Sequence, residues 1–136
     1  LGEAFSDSLD MELEFASQEA EEFAVKIITG ENEATVVGYD FSNQTLFVDR
    51  TNSGEVEFSK EFPGVHAAPL VPLEGRISLR ILLDSSSIEV FANGGQAAIS
   101  DLIFPTEGLR KLELSSRGGT TQITKLNIYP MKRIWD

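Results

Sequence analysis

Leu79 to Asn93 reads LRILLDSSSIEVFAN, and no other stretch of the 136-residue chain constrains the fold as tightly. Leu79, Ile81 and Leu83 alternate with Arg80 and Leu82; Ile88, Val90 and Ala92 alternate with Glu89, Phe91 and Asn93. A period of two is what a strand with one buried face requires. Between the two runs lies Asp84-Ser85-Ser86-Ser87, residues whose short side chains bond back to nearby backbone in tight turns. The segment is a β-hairpin. Pairing Leu83 with Ile88 sets Leu82 opposite Glu89 and Arg80 opposite Phe91. Arg80 and Glu89 then lie diagonally on the face away from the core, within reach of each other. Leu82 and Phe91 share that face, where a solvated sheet would be polar, and an outer apolar patch marks either a contact surface or a place covered by a loop.

Similar patterns recur along the chain. Leu9, Met11, Leu13 and Phe15 alternate with Asp10, Glu12 and Glu14, followed by Phe23, Val25 and Ile27 and a turn at Gly30-Glu31-Asn32. Val37, Tyr39 and Phe41 alternate next, and Ser42-Asn43 turns the chain into Leu46-Phe47-Val48. Val56 and Phe58 suggest a short strand, and Pro63 to Gly75 reads as an irregular passage rich in Pro and Gly. Asn93-Gly94-Gly95 supplies positive-φ positions for a second tight turn. Ala97 to Phe104, Leu112 to Leu114 and Ile123 to Tyr129 complete a set of about ten strands with no helical period, which predicts a two-sheet antiparallel β-sandwich of the lectin or concanavalin-like jelly-roll kind. The length predicts a single module over residues 1–136.

The formal net charge of −11 argues against nucleic acid and against anionic membrane surfaces, both of which are bound by clustered Lys and Arg. No apolar run approaches the roughly 20 residues that span a bilayer. Without cysteine there is no disulfide framework and no thiol site. His66 is the single histidine, a poor basis for a metal centre or a triad, and no cofactor or metal is expected. With 22 acidic residues, proximity of two carboxylates carries no information, and Asp10, Glu12 and Glu14 read as one solvated strand face. No catalytic residue is visible. The start at Leu1, with acidic sequence following, reads as a domain excised from a longer polypeptide.

Three segments resemble the C-terminal β-sandwich module of glycoside hydrolase family 32, in the levanase and exo-inulinase branch. They are Val48-Asp49-Arg50-Thr51-Asn52-Ser53-Gly54, then Phe62 through His66 to Ala68-Pro69-Leu70, and Leu79 to Asn93 with Ile103-Phe104-Pro105 after it. Together they cover about the middle half of the chain in the family's order; the first forty residues are similar only in strand pattern. The resemblance implies that catalysis belongs to a separate N-terminal β-propeller. That propeller's Trp-Met-Asn-Asp-Pro, Arg-Asp-Pro and Glu-Cys segments do not occur here, where the single tryptophan is Trp135, so no catalytic role transfers to any position.

On that reading the partner is the propeller of the parent chain, with a fructan polysaccharide as a further candidate, and an extracellular location follows from the resemblance alone. Asp49 and Arg50, at a strand end entering a turn, are candidates for an Arg–carboxylate pair that braces a loop or meets the propeller. His66, Arg80, Leu82, Glu89 and Phe91 complete the candidate interdomain or ligand contacts. Two alternatives remain. One is an autonomous glycan-binding module that stacks sugar on Tyr39, Phe47, Phe91 or Trp135; the other is a lectin-like interaction domain that dimerises through an edge strand.

Overall fold

The computed structural model describes residues 9–30, 33–52, 65–84, 87–102 and 111–130. They form β1 (Leu9–Gln18), β2 (Glu22–Gly30), β3 (Glu33–Asp40), β4 (Thr45–Asn52), β5 (Val65–Pro69), β6 (Arg76–Leu83), β7 (Ser87–Ala92), β8 (Ala97–Leu102), β9 (Lys111–Arg117) and β10 (Thr120–Pro130). One sheet, sheet A, runs β10-β1-β6-β7-β8, and the other, sheet B, runs β5-β4-β3-β2-β9. Every pairing is antiparallel. At one side of the sandwich β5 approaches β8 across the core.

Alternation decides which face each strand buries. Leu9, Met11, Leu13 and Phe15 point inward from β1, and Ile77, Leu79, Ile81 and Leu83 do so from β6. Phe23, Val25 and Ile27 meet them from β2, with Val37 and Tyr39 from β3 and Leu46 and Val48 from β4. Burying each such side chain contributes roughly 1.5–3 kcal/mol, which makes this single core the main source of stability. An aromatic cluster ties the sheets together. Phe15 lies 4.5 Å from Phe23, and Phe41 meets Phe15 and Tyr39 edge-on at 6.0 and 5.0 Å. Edge-on pairs are favoured because a positive ring edge then faces a negative ring face.

The central hairpin has the predicted register: Leu83 pairs Ile88, Leu82 pairs Glu89 and Arg80 pairs Phe91. Asp84 N donates to Ser87 O at 2.9 Å to close its turn. In the next turn Asn93, Gly94 and Gly95 take φ of 50°, 72° and 102°, the left-handed values expected of them.

Two expectations require correction. Val65–Pro69, inside the passage read as irregular, is strand β5, paired from Thr45↔Pro69 to Asp49↔Val65. Its weak alternation of Val, His and Ala hid it, and Pro69 is tolerated because β5 is the edge strand of sheet B. Asp49 and Arg50 lie within β4, which continues to Asn52, and do not lie at its end. The short strand expected at Val56 and Phe58 lies outside the described residues.

Candidate functional site

The candidate contact residues divide between the two sheets. Asp49 points outward from sheet B, between Val36 and Val65 in neighbouring strands. His66 is half-buried on the inward-facing side of β5, opposite Val48. The backbone of Arg50 belongs to β4, and its side chain lies outside the described residues, so the proposed Asp49–Arg50 pair is not visible. Arg80, Leu82, Glu89 and Phe91 share the outward face of sheet A. The seven residues therefore form no single site.

On sheet A the partner of Arg80 differs from expectation. Its guanidinium donates through Nε to Asp10 Oδ1 at 3.1 Å and through Nη2 to Asp10 Oδ2 at 2.7 Å. The reason is topological. β6 lies between β7 and β1, so a second set of carboxylates flanks Arg80 from the side opposite Glu89. Asp10 offers both oxygens to the guanidinium fork, the stronger geometry. An open groove of about 500 Å³ lies on this face, with Glu12, Glu14, Arg80, Phe91 and Lys125 among its lining. Thr124 Oγ1 donates to Glu14 Oε1 at 2.7 Å, and Ser78 Oγ to its Oε2 at 3.3 Å. The Thr124 hydrogen bond, helped by Ser78 and Arg76, holds the Glu14 carboxyl below its ordinary value against the cost of desolvation. A general acid needs the opposite shift, so Glu14 is built to stay charged.

The outward face of sheet B has a different chemistry. One cross-strand row runs Ala24, Gly38, Phe47, Ala67, and the next runs Lys26, Val36, Asp49, Val65. A Cβ on Gly38 would overlap the Phe47 ring, so the ring lies directly on the glycine backbone. Only glycine permits that approach. β3 carries the inversion furthest. Its inward positions include Thr35, buried with no hydrogen-bond partner for Oγ1 among the described residues, while Ala34, Val36 and Gly38 face out.

Two structural anchors had little signal in the sequence. Asn93 accepts from Ser78 N at 2.9 Å through Oδ1 and donates from Nδ2 to Val71 O at 3.0 Å. Tyr39, considered above as a sugar platform, is fully buried and donates to Leu70 O at 2.5 Å. Both clamp the segment after β5 onto the sandwich. Only the left-handed Asn before two glycines hinted at the first clamp. Among the described residues, no three His, Asp or Glu side chains converge as metal ligands would.

Comparison with known proteins places this architecture. The sequence profile of Glycosyl hydrolases family 32 C terminal matches residues 2–130. The levanase of Bacillus subtilis (strain 168) is 42% identical over 135 residues, covering 98% of this chain and 20% of that protein. The extracellular exo-inulinase of Aspergillus awamori is 38% identical over 138 residues, covering 99% of this chain and 25% of that protein. In the crystal structure of exo-inulinase from Aspergillus awamori the same sandwich superposes with a TM-score of 0.87 at 35% identity, over 94% of this chain and 26% of that one. The fructofuranosidase of Schwanniomyces occidentalis, at 19% identity and a TM-score of 0.81, shares the fold. The chain thus spans about a fifth to a quarter of the length of these levanase and exo-inulinase relatives. With the profile matched over nearly its whole length and the same two-sheet sandwich, the chain belongs to glycoside hydrolase family 32, as its C-terminal domain.

Proposed function

We propose that this domain is a non-catalytic module of a longer fructan hydrolase, docked against the catalytic domain and stabilising it. The observation that carries the reading is the near-complete match to the family's C-terminal domain alongside relatives four to five times as long, named levanase and exo-inulinase. The substrate of the longer chain is then a levan- or inulin-type fructan. Its location is extracellular, as the name of the Aspergillus awamori relative suggests.

A second reading, direct glycan binding, is favoured by the groove on sheet A. Phe91 supplies an apolar platform there beside Arg80, Glu12 and Lys125, which offer hydrogen bonds to hydroxyl groups. One experiment separates the two. Isothermal titration of the chain with levan and inulin oligosaccharides is paired with a hydrolysis assay on the same samples. The docking reading predicts neither heat of binding nor product. Binding lost on Phe91→Ala would establish the second reading, and hydrolysis by this chain would sink both.

A further inference from the structure

We propose that Asn93 and Gly94, in the turn between β7 and β8, form a self-modification site where the Asn93 amide becomes a carboxylate and the turn at 71–76 is released. The proposal holds whether or not the domain serves a longer hydrolase. Of the five asparagines Asn93 alone is followed by glycine; Asn32, Asn43, Asn52 and Asn127 precede Glu33, Gln44, Ser53 and Ile128. An asparagine amide can be attacked by the backbone nitrogen of the next residue, and a side chain on that residue obstructs the approach. Gly94 has none, takes a φ of 72° and has open space where a Cβ would stand. Among the described residues, the backbone hydrogen bonds of this turn run from Gly95 N to Ala92 O at 3.0 Å and from Asn93 N to Ser78 O at 2.8 Å, which leaves the Gly94 nitrogen unengaged.

The Gly94 nitrogen adds to Asn93 Cγ, forming a nitrogen–carbon bond and placing negative charge on Oδ1. Ser78 N on β6 already donates to Oδ1 at 2.9 Å, the placement of an oxyanion donor. The Cγ–Nδ2 bond then breaks, and Nδ2 leaves as ammonia with the proton given up by the Gly94 nitrogen. Water opens the five-membered imide at either carbonyl, giving aspartate or isoaspartate. Both reacting groups sit on adjacent residues, so the first step is unimolecular.

Nδ2 is also a clamp. It donates to Val71 O at 3.0 Å and lies 3.4 Å from Gln96 Oε1. Leu73 and Arg76 bond to each other, N to O in both directions at 2.9 Å, so the turn at 71–76 closes on itself. Val71 and Leu73 stay 52% and 54% exposed. A segment with so little buried and its bonds so local opens without the rest of the fold. Opening frees Nδ2 while Ser78 keeps Oδ1, and this opening sets the rate. The reaction then makes the release permanent. A carboxylate only accepts hydrogen bonds, so in the product an oxygen faces Val71 O with no donor between them.

The test holds the 136-residue chain at mildly alkaline pH, where the attacking nitrogen sheds its proton more readily, and maps its peptides by mass spectrometry at intervals. Asn93 should convert many-fold faster than Asn43 and Asn127, and should yield isoaspartate along with aspartate. The converted chain, and Asn93→Asp as its stand-in, should be cut several-fold faster at Glu74 by a glutamate-specific protease. Tyr39→Phe, which frees Leu70 O at the start of the turn, should speed conversion several-fold. Gly38→Ala, which disturbs the outer face of sheet B, should not. Conversion at Asn93 no faster than at Asn43 would refute the site, aspartate without isoaspartate the ring, and unchanged cleavage at Glu74 the release. Equal acceleration by the two variants would assign the reaction to the globally unfolded chain and overturn the gating by this turn.

Discussion

Tyr39→Phe removes one oxygen from the centre of the core, and its consequences can be worked out in two pH ranges. The hydroxyl is fully buried and donates to Leu70 O at 2.5 Å. Near neutral pH the substitution deletes that hydrogen bond and takes from a buried carbonyl its donor. Losses of this kind cost about 1–3 kcal/mol. For a domain of this size each kcal/mol lowers the unfolding midpoint by about 3–5 °C.

At high pH the difference narrows. Burial, aided by the nearby Asp40 carboxylate, pushes the Tyr39 phenol up to about 12 from 10.0. The unfolded chain therefore loses this proton first, so the wild-type domain is stabilised fully below pH 10 and loses that contribution as pH rises toward 12. A two-unit separation corresponds to about 3 kcal/mol. The phenylalanine variant has no such proton. Urea unfolding followed by circular dichroism at steps from pH 7 to 11.5 should show the variant less stable at pH 7 and the two proteins converging above pH 10. Equal stability at pH 7, or two parallel curves to pH 11.5, would refute the account of this core.

Other substitutions probe the remaining structural claims. Gly38→Ala should force the Phe47 ring off its seat and cost about 1–3 kcal/mol as overpacking does; adding Phe47→Ala should recover part of the loss, which a double-mutant cycle in urea would measure. Thr35→Val should leave stability unchanged or raise it by up to about 1 kcal/mol, because the buried hydroxyl it removes has no partner among the described residues. Thr124→Val should raise the NMR titration midpoint of Glu14, since that hydroxyl is the chief cause of its lowered value. The stabilisation from Glu14 is present above the ordinary carboxyl value of 4.5 and fades as pH falls through the lowered one, so the variant should lose less stability on acidification.

What could be read from sequence depended on how local the cause was. β1, β6 and β7 show clean alternation because each has one wet face, and the hairpin register followed from a turn only four residues long. β5 escaped notice because Ala67 and Ala68 have little strand preference and Pro69 resembles a loop residue, while its pairing with β4 is settled by distant backbone hydrogen bonds. The partner of Arg80 was hidden for a similar reason. Asp10 is 70 positions away and meets it only because β1 lies beside β6. Apolar residues on both faces of β3 were present in the sequence all along, but which of them face outward emerges only once Tyr39 and Val37 are seen in the core.

The central claim concerns stability conferred on another domain, so heat inactivation tests it most directly. Fructan hydrolysis would be measured after graded heating of the longer polypeptide, once intact and once without this domain. The account predicts that removal leaves initial turnover per folded molecule similar and markedly shortens its half-life at elevated temperature. Equal half-lives for the two would contradict it.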